Sequence, residues 1–148
     1  MHILIIEDNL LKRQKVVDFL GENIRSTFSE AASFNTGLRL ALAEKYDLIV
    51  LDMSMPTFDR TESAHGGRFR VLAGKEIVSR LARAGKLAPV VILTGYKDFS
   101  VDSQSMNIDE INSSLKMFGD SYRGYIMFDA TNSVWKQQLL SIVQEIAA

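Results

Sequence analysis

Residues 48–56 read Leu-Ile-Val-Leu-Asp-Met-Ser-Met-Pro: four apolar residues, an acid, and a turn that closes on Pro56. An apolar run this short, without polar alternation, suits a strand buried on both faces, as in the interior of a parallel sheet. Working outward, comparable runs occupy Ile3–Ile6, Val90–Leu93 and Tyr125–Phe128. A more polar fifth stretch, Thr27–Ala31, fits an edge strand.

Between the runs the apolar spacing becomes helical: Leu10, Val17, Leu20 and Ile24; Leu38, Ala41 and Leu42; Ile77, Leu81 and Ala84. Each set makes one buried stripe. Ile108, Ile111, Leu115 and Phe118 form a fourth, opened by Asn107 with Glu110 in a capping-box pairing and stopped by Gly119. Trp135, Leu139, Ile142 and Ile146 form the last, with Thr131 or Ser133 as cap. Five alternations of strand and helix predict a parallel sheet covered by helices on both faces, because right-handed crossovers return the chain to the same edge. Such sheets bind ligands beyond the carboxyl ends of their strands. Two connections are long, 57–73 and 95–106, against a common strand-to-helix loop of about 2–6 residues. Both follow strand ends and would border the site.

The whole chain of 148 residues has the size of one domain, 1–148, with 57–73 as an insertion. Its formal net charge of −1 offers no basic field for a phosphate backbone, so direct nucleic-acid binding is not expected. With Cys at 0, disulfides, thiolate catalysis and zinc-thiolate sites are excluded, and His2 and His65 form no ligand-spaced pair. Any metal would be held by oxygen. No apolar run approaches the ~20 residues of a membrane span and no export signal precedes the first strand, which predicts a soluble cytoplasmic protein without membrane insertion.

The residues at the strand ends carry the chemistry. Glu7 and Asp8 follow the first strand, Asp52 the third and Thr94 the fourth. Three carboxylates converging in a partly desolvated crevice repel one another, whereas Mg2+ takes carboxylates together with waters and phosphate oxygens. Helix capping is the competing explanation, since Asp8 or Asn9 could cap the helix that begins near Leu10. Capping does not explain an acid at Asp52 together with a hydroxyl at Thr94.

Ile-Leu-Ile-Ile-Glu-Asp-Asn at 3–9, the stretch 48–56 and Val-Val-Ile-Leu-Thr-Gly at 90–95 together resemble the response-regulator receiver domain of two-component signalling. The resemblance spans nearly the whole chain apart from 57–73 and the lengthened segment before Ile108. It implies the flavodoxin-like doubly wound fold, with five strands in the order 2-1-3-4-5. It implies that Asp52 is the phosphoacceptor, served by a histidine kinase or histidine phosphotransfer protein, and that Glu7, Asp8, Asp52 and the backbone carbonyl of Ser54 hold Mg2+. Thr94 and Tyr125 would form the phosphorylation switch, which would reshape a partner surface between the fourth and fifth helices. A second copy of the chain is among the partners left open. A receiver is a signalling domain with self-directed phosphotransfer rather than an enzyme acting on a separate substrate, and no output domain is expected beside it.

The fifth strand departs from the family pattern. Where receivers carry Tyr, two apolar residues and Lys, this chain has Tyr125-Ile126-Met127 followed by Phe128 and Asp129, so the phosphate-pairing cation is missing. Lys97, at the carboxyl end of the fourth strand, is the first candidate to replace it, followed by Arg68 and Arg70 in the insertion; Arg123 lies at the wrong end of its strand. The same departure motivates an alternative, a pseudo-receiver that acts as a protein-interaction module without phosphorylation. A hydrolase using Asp52 is remote, because the haloacid-dehalogenase pattern needs a second Asp where Ser54 stands. A phosphate-binding loop near Gly74-Lys75 is rejected, since Phe69 takes the first Gly position and Glu76 replaces the hydroxyl residue.

Overall fold

The first strand, β1 (His2–Ile6), places Ile3 and Ile5 on one face and Leu4 and Ile6 on the other, and all four are buried. That two-sided burial recurs in β3 (Leu48–Leu51) and β6 (Val90–Thr94), where every residue is buried. These three strands therefore form the interior of the sheet. The computed structural model describes residues 1–60, 65–101 and 104–148, the side chains of Val101 and Gln104 aside. Residues 61–64 of the insertion lie outside the described residues.

The sheet runs β2-β1-β3-β6-β9, with β2 (Thr27–Ala31) and β9 (Tyr122–Met127) at its edges and every pairing parallel. Counting only the sheet strands, this is the expected order 2-1-3-4-5. One face packs Leu4, Ile6, Ile49, Leu51 and Ile92 against α2 (Phe34–Ala43), α3 (Ala73–Arg83) and α4 (Ile108–Leu115). The other packs Ile3, Ile5, Val50, Leu93 and Ile126 against α1 (Leu10–Asn23) and α5 (Val134–Ala147), with Trp135, Leu139 and Val143 as the α5 contribution. Each fully buried Leu or Ile contributes about 1.5–3 kcal/mol relative to exposure. Among the described residues no helix is long and apolar enough to cross a membrane.

Three helix starts follow from side-chain caps. Asn9, not Asp8, caps α1 by accepting from the Lys12 N–H at 3.0 Å. Ser33 caps α2, and Asn107 caps α4 through the Glu110 N–H at 2.9 Å. At α5 neither expected cap acts: Ser133 makes no side-chain cap bond, and Asn132 accepts from the Val134 N–H instead. The stripe expected to reach Phe118 is helical only to Leu115. A 3-10 turn follows over Lys116–Ser121, with Gly119 at φ 66°.

Both long connections contain structure that periodicity did not reveal. In the insertion, β4 (Met55–Pro56) pairs antiparallel with β5 (Phe69–Arg70), and Thr57 extends the ribbon by donating its N–H to Arg68 O at 3.0 Å. After β6 the chain forms a second antiparallel hairpin, β7 (Asp98–Val101) with β8 (Gln104–Asn107). The edge strand β9 begins three residues earlier than expected, at Tyr122, and ends at Met127, leaving Phe128 just beyond it. Its start was hidden by a bulge: Val90 pairs with Tyr122 and Ile92 with Tyr125, so β9 carries one residue more than β6 across that step. Gly124 absorbs the irregularity at φ 90°, a conformation that side-chain-bearing residues rarely adopt.

Candidate functional site

The site forms where β1 and β3 lie side by side and their following loops diverge toward opposite faces, the switch point at which open α/β sheets leave a crevice. Two main-chain bonds fix the acids there: the Glu7 N–H donates to Ala31 O at 2.9 Å and the Asp52 N–H to Ile6 O at 3.0 Å. Carboxylate oxygens of Glu7, Asp8 and Asp52 all lie within 4.8 Å of one another. They border an open cleft of about 560 Å³ that also takes Ser54, Phe69, Tyr96 and Phe128 into its wall. Three carboxylates on one cleft form an all-oxygen donor set, which fits a hard divalent cation such as Mg2+.

The three acids differ in surroundings. Asp52 Oδ1 accepts the Met53 N–H at 2.7 Å, so Oδ2 is the oxygen that turns toward a neighbour. Asp8 has the exposed Arg60 at 3.8 Å, a surface pair of little energetic weight. Glu7 is 4% exposed and accepts the Asn9 N–H at 3.0 Å. Burial, and then the charge of Asp52, push its carboxyl up to about 8 against the opposing pull of Lys12. Two carboxylates sharing one ammonium in a desolvated place leave an unbalanced negative charge, which a proton or a metal cation would offset.

That ammonium belongs to Lys12, a residue the sequence reading passed over. Lys12 Nζ stands 2.5 Å from Glu7 Oε1 and 3.3 Å from Asp52 Oδ2, and donates to Leu93 O at 2.8 Å. Its side chain is 11% exposed. It also lies over the Phe128 ring, 5.4 Å from the centroid. A signal for it existed in the sequence. With Asn9 as cap, Lys12 occupies the third helical position of α1, where the positive end of the helix dipole disfavours a cation. A Lys there implies an acidic partner nearby.

The three cations offered for the missing fifth-strand Lys stand elsewhere. Lys97 lies in a separate cavity with Asp98, Asp109 and Tyr125. Arg70 pairs with Glu76 at 2.9 Å and stacks over Phe34 at 4.2 Å. Arg68 is exposed in a groove with Lys75 and Arg83, on the α3 side of the ribbon. The physical reason is the ribbon itself: the antiparallel pairing of β4 with β5 turns Arg70 onto α2 and α3 and leaves Phe69, 53% exposed, to line the cleft. Among the described residues, the cation within 4 Å of Asp52 is Lys12.

Thr94 is fully buried at the end of β6, and its hydroxyl accepts the Tyr96 N–H at 3.4 Å; Gly95 and Tyr96 line the cleft in its place. Ser54 lines the cleft while its hydroxyl donates to Val71 O at 2.5 Å. Tyr125 donates to Asp109 Oδ1 at 2.9 Å, which joins β9 to the first turn of α4. Asp129 turns away from the cleft: its carboxylate accepts both the hydroxyl and the N–H of Thr131, and these bonds hold its pKa below the ordinary range.

Residues 3–118 match the family model of the response regulator receiver domain. The chain is 32% identical over 150 residues to the Detocs response regulatory protein DtcB of Enterobacter cloacae, covering 99% of this chain and 100% of that one. It is 30% identical to the transcriptional regulatory protein PdtaR of Mycobacterium tuberculosis, over 80% of this chain and 51% of the relative. Among solved structures, the response regulator TrrA of Thermotoga maritima in complex with Mg(2+)-BeF aligns with a TM-score of 0.65 at 19% identity, over 98% of this chain and 97% of that one. A CheY-like receiver domain from Methanospirillum hungatei aligns with the same TM-score of 0.65 at 17% identity, over 99% of this chain and 93% of that one. At these identities the two structures speak to the fold alone.

Proposed function

Because the chain belongs to the response-regulator receiver family of two-component signalling, we propose that it accepts a phosphoryl group on Asp52 with Mg2+ and thereby switches a protein-interaction surface. The observation that carries this reading is the meeting of Glu7, Asp8 and Asp52 at the carboxyl ends of β1 and β3, in a cleft open to a donor. Mg2+ would be held by Glu7, Asp8, Asp52 and the Ser54 backbone carbonyl, and supplies charge neutralisation on the phosphoryl oxygens. The engaged Ser54 hydroxyl leaves the main chain as the group this residue offers.

In the transfer, an Asp52 carboxylate oxygen attacks the phosphorus of a phosphohistidine. The new P–O bond forms as the P–N bond breaks, and the imidazole nitrogen keeps the electron pair and takes a proton from solvent. The Met53 N–H positions the nucleophile by holding Oδ1 at 2.7 Å. The chain acts as a signalling domain, with a histidine kinase or histidine phosphotransfer protein as donor. Thr94 and Tyr125 would report the new charge. The bond between Tyr125 and Asp109 ties β9 to α4, so its rupture would release the α4 face toward α5 for a downstream partner.

Intact mass after incubation with phosphoramidate tests the reading. One added phosphate is expected on the wild type with Mg2+, and none on Asp52→Asn or after chelation. No addition from phosphoramidate or from a phosphohistidine donor protein would overturn it in favour of a phosphorylation-independent interaction module.

A further inference from the structure

We infer that Lys12 is the cation that pairs with the phosphoryl group on Asp52, so that the first helix of this chain supplies a charge its fifth sheet strand lacks. The inference rests on the phosphoacceptor reading above and assigns a further residue to that site.

The need for a cation follows from charge. Phosphorylation converts the Asp52 carboxylate to an acyl phosphate, a mixed anhydride, and so places a group of about −1.5 to −2 beside Glu7 and Asp8. A divalent ion leaves that site negative in a partly desolvated crevice, and one more positive charge offsets much of the remainder. The cation must reach the reacting oxygen without being lost to solvent. Lys12 Nζ is 3.3 Å from Asp52 Oδ2 on a side chain only 11% exposed.

The ammonium is held from three sides. Leu93 O accepts from it at 2.8 Å, Glu7 Oε1 lies at 2.5 Å, and the Phe128 ring face lies 5.4 Å away. A cation fixed by a main-chain carbonyl and an aromatic face needs little reorganisation when charge develops on the phosphoryl oxygens, which is what makes preorganised electrostatic stabilisation effective. Phe128 stands where a lysine would enter from β9. Instead it packs on Trp135 with ring centroids 5.0 Å apart, which closes that approach and leaves its face to Lys12. The unfavourable placement of a Lys in the first turn of α1 is then offset by its acidic partners.

During transfer Lys12 donates no proton to any bond that forms or breaks; the Asp52 P–O bond forms and the donor bond breaks as described above. Its contribution is electrostatic. A neutral side chain should therefore slow phosphorylation while a guanidinium preserves part of the rate.

The experiment compares wild type, Lys12→Ala, Lys12→Arg, Lys97→Ala and Asp52→Asn. Phosphate incorporation from phosphoramidate is followed by intact mass, and Mg2+ binding by calorimetry. Lys12→Ala is expected to slow incorporation by about tenfold or more, as removal of one charge-stabilising donor does. It should also bind Mg2+ more tightly than wild type, because a competing charge has left the carboxylates. Lys12→Arg should fall between, and Lys97→Ala should match wild type. If Lys12→Ala incorporates phosphate at the wild-type rate while Asp52→Asn takes none, Lys12 has no such role and the phosphoacceptor reading survives. If Lys97→Ala is the slow variant, the pairing cation is Lys97. If wild type takes no phosphate, the function itself fails, and the assignment of Lys12 with it.

Discussion

Lys12 and Phe128 come from opposite ends of the sequence, yet the ammonium of one lies 5.4 Å from the ring centroid of the other at the mouth of the acidic cleft. The two residues divide a task that the family pattern gives to one: Lys12 brings the charge, and Phe128 walls the place from which that charge would otherwise enter. Moving the charge back is a direct test. The double variant Lys12→Ala, Phe128→Lys should regain most of the phosphorylation rate lost in Lys12→Ala. Trp135 fluorescence reports whether the packing beneath Phe128 persists; an intact fold with no regained rate would show that position matters beyond charge.

Gly74 opens α3 against the phosphoacceptor backbone. Its N–H donates to Met53 O at 2.8 Å, and a Cβ there would stand 2.6 Å from Asp52 O and 3.1 Å from Met53 Cα. These are backbone atoms that cannot swing aside, so Gly74→Ala must displace either α3 or the Asp52 loop. A loss of about 1–3 kcal/mol in urea denaturation is expected, with slower phosphate uptake. A variant as stable as wild type would mean that the contact relaxes at no cost.

Mg2+ should stabilise the fold by binding the native acidic cluster alone. At tenfold its dissociation constant the gain is about 1.4 kcal/mol, or about 3–6 °C in Tm for a domain of this size. Asp8→Asn should lose most of that gain. In chelator the same variant should melt above wild type, since it removes the Asp8 negative charge from beside Asp52. Equal Mg2+ shifts in both proteins would exclude Asp8 as a ligand.

Tyr122 gives the fold an alkaline limit. Burial, and then the neighbouring Tyr125 phenol, raise its pKa far above the ordinary value, and its hydroxyl donates to Asn112 Oδ1 at 2.7 Å. The fold thus favours the neutral phenol. Its contribution is complete below the ordinary tyrosine pKa of about 10 and is lost as pH rises beyond that value. Tyr122→Phe should cost about 1 kcal/mol near neutrality through the missing hydrogen bond, yet decline less steeply above pH ~10. Parallel stability curves for the two proteins across that range would assign the alkaline loss to another group.

The five sheet strands and the convergence of Glu7, Asp8 and Asp52 were legible in the chain because each depends on local pattern, whereas the strand order was implied by the family resemblance. Runs such as Leu48–Leu51 show their two-sided burial in composition, and an acid directly after such a run lands at the carboxyl end of its strand. The start of β9 was not legible, because Arg123 and Gly124 interrupt the apolar pattern where the bulge falls. The two hairpins were hidden for a related reason: pairs as short as Met55–Pro56 with Phe69–Arg70 have too few residues to show a period.

The position of a charge is a different kind of question. Sequence distance suggested Lys97, only three residues beyond Thr94, and the hairpin that follows carried it into another cavity. Lys12 reaches Asp52 because α1 lies across β1, β3 and β6 on the same face, so that an ammonium from its first turn meets an oxygen at the end of β3 and a carbonyl at the end of β6. The sequence by itself determined the five strands of the main sheet and the acids that follow two of them, since backbone period and burial are local properties. Only the tertiary structure decided which cation faces those acids, because a flexible four-carbon side chain takes its partner from whatever the packing of helix on sheet brings within reach.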